Sequence, residues 1–103
     1  MDWDSAANAF AALGSEARLQ VLRVLVRAGG EGLAVADIQE RTGIAASTLT
    51  HHLKFLAAAG VVTQERIGRS IISRASISHL QDLARFLLME CCADEVRKAA
   101  NDG

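Results

Sequence analysis

The chain has 103 residues, with 11 basic and 12 acidic side chains, no proline and two cysteines. This length fits one compact domain and leaves little room for a multidomain enzyme. Half of the residues are apolar, nineteen are alanine and only 4% are aromatic, which favours closely packed helices over an aromatic-rich sheet. So large an apolar fraction in so small a domain also predicts a partner subunit, and a homodimer is the simplest such assembly.

The sequence predicts a cytoplasmic protein without a membrane partner. The longest uncharged stretch, Thr42 to Leu53, has twelve residues and is too short and too polar to cross a bilayer. The N-terminus lacks the basic start and apolar run of a signal peptide. The two cysteines, Cys91 and Cys92, are adjacent and cannot close a structural loop, so we expect reduced thiols.

Charge is unevenly distributed along the chain. Residues 1–17 carry three acids and no base, residues 18–74 carry eight bases and four acids, and residues 75–103 carry three bases and five acids. The basic middle segment indicates a face that binds nucleic acid. The acidic ends indicate a different role for the terminal segments.

Helical periodicity and glycines divide the first half of the chain into four predicted helices. The first covers Trp3 to Leu13, and the second runs from a cap at Ser15 to about Ala28. On the second helix, the side chains expected to face the core are Leu19, Leu22, Leu25 and Val26. The third and fourth helices, each ending at a glycine, are predicted at about Val35 to Thr42 and Ala46 to Ala59. Two short helices joined by a tight glycine turn are typical of a helix-turn-helix.

The pattern changes after Gly60. Two stretches rich in β-branched residues flank Gly68-Arg69, which predicts a small hairpin over Val61 to Ile67 and Ser70 to Arg74. From Ser76 to about Ala100 the helical pattern returns and predicts one continuous rod of roughly 37 Å. The predicted fold class is therefore mainly α. It is a winged helix-turn-helix of about five helices and one β-hairpin wing, in a single domain spanning residues 1–103.

The fourth predicted helix has an apolar face and a polar face. Its leucines, Leu49, Leu53 and Leu56, fall together on the helical wheel. The side chains on the remaining face are Ser47, Thr48, Thr50, His51 and Lys54. Short hydrogen-bonding side chains near a helix N-terminus can approach base edges in the major groove, and Lys54 can reach a phosphate.

The surroundings of this helix favour DNA over a merely solvated polar face. No acidic residue occurs between Arg41 and Gln64, so nothing in this stretch repels a phosphate backbone. The predicted hairpin adds Arg66 and Arg69 as a basic tip beside the same groove. A solvated face without a ligand is the usual state of an amphipathic helix, and it remains the alternative interpretation.

Five sequence motifs can be compared with known families, namely Ala12-Leu13-Gly14-Ser15-Glu16-Ala17-Arg18-Leu19, Thr42-Gly43, Ser47-Thr48-Leu49-Thr50-His51-His52-Leu53-Lys54, Ala59-Gly60-Val61-Val62 and Arg66-Ile67-Gly68-Arg69. They resemble the ArsR/SmtB family of prokaryotic repressors, and the similarity spans nearly the whole chain. The resemblance implies a homodimeric winged-helix repressor that pairs through its first and last helices and leaves DNA when an inducer binds.

The resemblance also implies roles for single residues. Arg18 matches a position near the operator backbone, and the positions matching base-facing residues are Ser47, Thr48, Thr50 and His51. Ala45 departs from the family pattern, in which a Ser or similar residue often caps this helix. We therefore expect the fourth helix to start less firmly.

Two metal sites of the family are not matched. Ala34-Val35-Ala36-Asp37 stands where arsenic sensors carry Cys-Val-Cys-Asp, so both thiols are missing. In the last helix, the places of the four zinc ligands hold Ile77, His79, Glu90 and Ala93. At most two of these bind zinc, which requires four ligands. We therefore expect His79 to be solvated or locally hydrogen-bonded.

The adjacent cysteines are the remaining candidate site. Soft thiolates select soft ions, so a Cys91–Cys92 dithiol suits As(III) or Sb(III) as inducer. The resemblance adds that some arsenic-responsive members bind through a Cys pair near the end of this helix. Arsenite prefers three thiolates, and the third can come from the partner subunit's Cys91 or Cys92 or from a small cellular thiol. An organoarsenical with one carbon substituent needs only two.

The predicted helix sets the geometry of this pair. Neighbouring residues lie about 100° apart around a helix, with Cys91 on the apolar stripe and Cys92 at its edge. We expect coordination by both sulfurs to distort the helix end. Since this helix forms the predicted dimer seam, the distortion would re-angle the two DNA-reading heads.

Other interpretations of the cysteines remain open. The pair can respond to oxidants or reactive sulfur, or serve as buried packing residues. Nearby acidic side chains raise the pKa of a thiol, which argues against an unusually reactive pair. A dithiol oxidoreductase is disfavoured because adjacent cysteines form a strained ring and no βαβ pattern surrounds them.

A protein-interaction module that does not bind DNA is disfavoured by the acid-free stretch described above. We thus expect a regulator that is not an enzyme and needs no cofactor to fold. Its predicted partners are double-stranded operator DNA, a second copy of the chain and a metalloid inducer.

Overall fold

Five α-helices of eight or more residues and three short strands form residues 1–95, the part of the chain that the computed structural model describes. In chain order they are α1 (Trp3–Leu13), α2 (Glu16–Ala28), β1 (Leu33–Ala34), α3 (Val35–Thr42), α4 (Ala46–Ala58), β2 (Val62–Ile67), β3 (Ser70–Ala75) and α5 (Ile77–Leu88). The predicted fold class, mainly α with a helix-turn-helix and a hairpin wing, is confirmed. Within these residues no helix is long and apolar enough to cross a membrane.

Side-chain caps fix the starts of α1 and α2 but not of α4. Asp2 Oδ1 accepts a hydrogen bond from the Ser5 N–H at 2.8 Å, and Ser15 Oγ accepts one from the Arg18 N–H at 3.3 Å. Ala45 precedes α4 and offers no side-chain acceptor. The start of α4 is therefore held by packing rather than by a cap.

The apolar core lies where α2, α3 and α4 meet the sheet. Its largest fully buried side chains are Leu25, Ile38, Leu49, Leu53, Leu56, Val21 and Val61. Of the core positions predicted on α2, Leu22 and Leu25 are buried, whereas Leu19 and Val26 are 49% and 42% exposed. The prediction was wrong for these two because α2 buries a narrower stripe than its apolar pattern indicates.

The three strands form an antiparallel sheet in the order β1-β3-β2, and β2 and β3 are the hairpin wing. The strands β2 and β3 pair along their whole length, and the loop between them is Gly68-Arg69. Gly68 has a φ of 62°. The common two-residue hairpin turns require a positive φ at their first position, which glycine adopts without strain. The strand β1 pairs Leu33 with Ser73 and so ties the wing to the helical core. It was not predicted because two residues show no periodicity.

The last helix is shorter than predicted. α5 ends at Leu88, and the turn that follows contains Glu90 and Cys92 with φ values of 67° and 64°. A right-handed helix excludes positive φ, so the predicted continuous rod from Ser76 to about Ala100 is wrong. Helical residues resume at 93–95, and the predicted end of the rod lies outside the described residues.

The break in this helix has a packing explanation. Leu87, Leu88 and Met89 are 63–65% exposed, so no other element of the described chain packs on the end of α5. Most helical stability in proteins comes from tertiary packing of an apolar face. Without that packing, an apolar periodicity alone does not hold the segment in a helix.

We predict that Gly32→Ala lowers the free energy of unfolding more than Gly29→Ala. The two glycines share a backbone conformation that favours glycine, with φ and ψ of 67° and −172° at Gly32 and of 71° and −151° at Gly29. An added Cβ at Gly32 would lie 2.6 Å from the Ser73 carbonyl oxygen, whereas at Gly29 nothing lies within 4 Å.

Backbone strain should cost about 1–3 kcal/mol in both variants. Gly32→Ala should lose at least about 1 kcal/mol more, because β3 must move to admit the methyl group. Urea unfolding followed by circular dichroism measures both losses. Equal losses would show that the sheet accommodates the methyl group freely.

Candidate DNA-binding interface and thiol site

The predicted polar face of α4 is open to solvent. The buried leucines on the opposite side orient the helix, and all five predicted residues are exposed, namely Ser47, Thr48, Thr50, His51 and Lys54. Thr50 Oγ1 donates a hydrogen bond to the Ala46 carbonyl oxygen at 3.0 Å. Its hydroxyl proton is therefore already used, and its oxygen can accept a hydrogen bond from a ligand.

The wing carries two exposed arginines without an acidic partner among residues 1–95, Arg66 and Arg69. Arg74 differs from them, because its Nη1 lies 3.5 Å from Glu65 Oε2 and its Nε donates to the Gly30 carbonyl oxygen at 2.8 Å. α4 packs against β2, so the hairpin that carries the free arginines is attached to the helix that carries the polar face.

Arg18 lies apart from this exposed set. It is half-buried, and its Nε donates to the Ala12 carbonyl oxygen at 2.6 Å. Its guanidinium carbon lies 4.9 Å from the ring centroid of Phe55. Sequence reasoning missed Phe55, whose role depends on how α2 packs beside α4. Its only sequence signal is its place four residues after His51.

His52 is a partly buried neighbour of the polar face. Its Nδ1 is buried and has no hydrogen-bond partner within residues 1–95. Burial, together with the charges of Arg18 and His51, lowers the pKa of His52. The lowered pKa favours the neutral imidazole, so His52 adds less than His51 and Lys54 can to the positive charge of α4.

The two cysteines lie in the turn after α5. Both are exposed, and their Sγ atoms are 3.2 Å apart. The predicted separation of about 100° on a continuous helix is wrong here, because the positive φ of Cys92 breaks the helix. Hydrogen bonding to Cys91 and then to Glu95 raises the pKa of Cys92.

The described chain supplies two ligands at this turn and no larger metal site. Residues 1–95 contain no cluster of three or more His, Cys, Asp or Glu side chains able to hold a metal ion. His79 is partly buried beside Gly60, and its Nε2 has no hydrogen-bond partner in the described residues. The expectation of a solvated or locally bonded His79 is not met at Nε2, although the side chain as a whole is only partly buried.

Several apolar side chains of α1 and of the end of α5 are exposed, and together they are here called the apolar face. Its exposed members are Trp3, Phe10, Leu87, Leu88 and Met89. Trp3 is 80% exposed, yet it touches Phe86 edge-on with ring centroids 5.1 Å apart. An open groove of about 650 Å³ lies next to it, lined in part by Phe86, Leu88 and Met89.

Comparison with known proteins supports a winged helix-turn-helix fold and a role in DNA binding. A family model described as a helix-turn-helix domain matches residues 13–65. A homodimeric winged helix-turn-helix DNA-binding domain from Mycobacterium bovis, described as a possible ArsR-family transcriptional regulator, is 32% identical with a TM-score of 0.66. That match covers 93% of this chain and 84% of the other. The protein belongs to the ArsR family of DNA-binding transcriptional regulators.

Further solved structures of transcriptional regulators resemble this protein. An ArsR-like transcriptional regulator from a Rhodococcus species is 29% identical, with a TM-score of 0.78, over 96% of this chain and 90% of the other. The transcriptional repressor BigR from Xylella fastidiosa is 26% identical, with a TM-score of 0.63, over 84% and 87% of the two chains. No curated protein matches the sequence. In this ArsR-family regulator, α3 and α4 form the helix-turn-helix, and β2 and β3 form the wing.

We predict that Cys91→Ala lowers the pKa of Cys92 towards its ordinary value. The hydrogen bond to Cys91 is the largest cause of the raised pKa, and alanine removes it. The pH dependence of Cys92 alkylation by iodoacetamide, resolved by peptide mass spectrometry, should move to lower pH. Glu95→Ala removes the second hydrogen bond that raises this pKa and should move the profile in the same direction. Unchanged profiles in both variants would contradict the observed geometry.

Proposed function

We propose that this ArsR-family regulator is a homodimeric, cytoplasmic repressor that binds a pseudo-palindromic operator and is released by a trivalent arsenical or antimonial. It acts by binding rather than by catalysis, needs no cofactor to fold and uses residues 1–103 as one DNA-binding and dimerisation domain. The observation that carries the DNA-binding part is the exposed, acid-free polar face of α4, next to a wing with two arginines that have no acidic partner within residues 1–95.

The side chains of α4 suit base edges in the major groove. Serine and threonine hydroxyls and imidazole nitrogens hydrogen-bond to bases, and a threonine methyl group can contact thymine. The proposed base-reading residues are Ser47, Thr48, Thr50 and His51. Thr50 Oγ1 uses its proton within the helix, so it would accept from a donor such as the amino group of adenine or cytosine.

Phosphate contacts set the register of the protein on DNA. Lys54 lies one turn beyond the base-reading residues, and Arg66 and Arg69 lie at the wing. All three are exposed and have no carboxylate partner among the described residues. A cation without a carboxylate partner gains more free energy from contact with a phosphate, since no ion pair has to be broken first.

The apolar face supports a dimer through the first and last helices. Surfaces with this much exposed Trp, Phe, Leu and Met are typical of protein interfaces. A two-fold dimer buries the same surface on both subunits and presents two copies of α4 to two operator half-sites. The homodimeric M. bovis domain is consistent with this assembly.

We predict that Arg69→Met weakens binding to every DNA sequence and reduces the slope of log K against log salt by about one unit. The exposed arginine Arg23, on α2 and outside the proposed interface, provides the control variant Arg23→Met. Its slope should match that of the wild type. Fluorescence anisotropy at four or more salt concentrations measures both slopes. An unchanged slope in Arg69→Met would remove Arg69 from the interface.

The thiol pair supports the inducer part of the proposal. The two sulfurs are exposed and 3.2 Å apart, so one soft atom can bind both without a large rearrangement. Two thiols replace two oxygen ligands of a trivalent arsenical, two As–S bonds form and two water molecules leave, without a change in oxidation state. The third ligand is an organic substituent, a small thiol or a sulfur from the partner subunit.

The position of the turn after α5 suggests how inducer binding would release DNA. Leu87, Leu88 and Met89 belong to the apolar face, and only Glu90 separates them from the thiols. A metalloid that binds Cys91 and Cys92 favours the turn over a continuous helix, in which the two side chains point in different directions. It therefore changes the end of α5, which is part of the dimer surface, and alters the relative orientation of the two α4 helices.

Oxidation of the same pair is a second candidate signal, favoured by the short distance between the sulfurs. A peroxide would take two electrons from the two thiols, forming one S–S bond and releasing water. The product would be a strained ring, because the two cysteines are adjacent. Metalloid binding closes no S–S bond and is the preferred function.

We predict that an arsenical lowers the affinity of the protein for the DNA upstream of its own gene by about 5- to 150-fold, the usual range of coupling between two sites. Arsenite, phenylarsine oxide, antimonite, zinc and peroxide are titrated against wild type, Cys91→Ser and Cys92→Ser in an anisotropy assay. Both variants should bind DNA like the wild type and resist the arsenicals.

The outcomes separate the candidate signals. Release by peroxide but not by arsenicals would assign the pair to redox sensing. Release of a Cys→Ser variant by arsenicals would place the inducer site elsewhere. No release by any reagent would contradict the inducer part of the proposal and place the signal elsewhere.

A further inference from the structure

The guanidinium group of Arg18 joins three helices. Its Nε donates to the Ala12 carbonyl oxygen at 2.6 Å, and its Nη2 lies 3.5 Å from that of Ala11. These carbonyls belong to the last turn of α1, where backbone oxygens lack helical partners and a cation is favoured. On its other side the guanidinium carbon lies 4.9 Å from the ring centroid of Phe55 on α4, within the range of a cation–π interaction.

The contact continues from Phe55 to the DNA-reading face. The ring of Phe55 meets that of His51 edge-on, with centroids 5.6 Å apart and an angle of 67° between the planes. Edge-to-face aromatic pairs favour a defined orientation. Phe55 therefore contacts both the imidazole of His51 and the guanidinium of Arg18.

These contacts depend on the shape of the arginine and not only on its charge. The Nε donor and the planar guanidinium are used at the same time, one for a helix end and the other for an aromatic ring. Lysine carries the same charge but has neither the planar group nor the Nε donor. A residue that only anchored a phosphate would tolerate lysine far better.

We infer that Arg18 and Phe55 form a positioning pair that fixes the angle between α1 and α4 and the orientation of His51. The inference rests on the proposed function, in which α1 lies in the dimer interface and α4 in the major groove. Half-sites one helical turn apart require reading helices about 34 Å apart. A change in the angle between α1 and α4 misaligns both helices of the dimer at once.

The first experiment compares operator binding with binding to a random duplex for Arg18→Lys, Phe55→Leu and the double variant. Arg18→Lys should weaken operator binding about tenfold, change random-duplex binding less than twofold and leave the salt slope unchanged. Phe55→Leu should do the same. The double variant should be close to either single variant, because both remove one interaction. Arg23→Lys, an exposed arginine on the same helix, is the matched control and should behave like the wild type.

The second experiment needs no DNA. Arg18→Lys should shift the NMR resonance of the His51 ring proton Hε1 towards its position in Phe55→Leu, since the first variant loosens the Phe55 ring from His51 and the second removes the ring. Arg23→Lys should leave it in place, and circular dichroism should show all variants folded. This readout tests the positioning pair even if the wild type fails to bind the chosen operator, an outcome that would count against the proposed function alone.

Three results would overturn the inference. Arg18→Lys could bind the operator like the wild type, which would show that charge alone suffices. Operator and random-duplex binding could fall equally with a reduced salt slope, which would make Arg18 a phosphate anchor. The His51 resonance could stay unchanged in Arg18→Lys, which would show that no orientation is passed along the contact chain.

Discussion

Burial of one leucine stripe on α4 determines what the rest of the molecule presents to its surroundings. Leu49, Leu53 and Leu56 are at most 1% exposed, and each contributes about 1.5–3 kcal/mol by leaving water. Turning the helix by one residue, about 100°, would expose part of this stripe and sacrifice several kcal/mol. The outward face is therefore fixed by apolar packing, even though Ala45 leaves the helix without a side-chain cap. The polar face of α4 therefore points to solvent even when no ligand is bound.

The features that the sequence predicts well are those that depend on local periodicity. The first four helices lie where glycines and apolar spacing place them, and the predicted end of α4 at Ala59 differs from the observed end by one residue. The exposed polar face of α4 was also predictable, because it is the complement of the leucine stripe. These inferences need only the helical repeat and a choice of which side is apolar.

The features that the sequence does not predict depend on contacts between distant residues. The strand β1 forms because Leu33 pairs with Ser73, and the sequence does not show that these two residues are partners. The guanidinium of Arg18 reaches Phe55 only after α2 and α4 have packed. The role of Arg18 near DNA, as implied by family resemblance, does not distinguish a phosphate contact from a contact that holds α4 in place. The contacts of the Arg18 guanidinium, and the effect of replacing Arg18 with lysine, distinguish the two roles.

The break after α5 shows how a dimer surface and a thiol site can share one segment. The apolar spacing through Leu87 and Leu88 indicates which side of a helix would be buried, but it does not supply the partner that buries it. In the single chain the segment turns, and the turn places the two sulfurs 3.2 Å apart. On the proposed mechanism, dimer packing favours a longer helix and a bound metalloid favours the turn, so the two compete for the same residues. A ligand shifts such an equilibrium only by its difference in affinity for the two states, and a shift from 1:99 to 99:1 requires a difference of about 10⁴-fold. The strength of packing at Leu87, Leu88 and Met89 would therefore set the sensitivity to inducer as much as the chemistry of the thiols does.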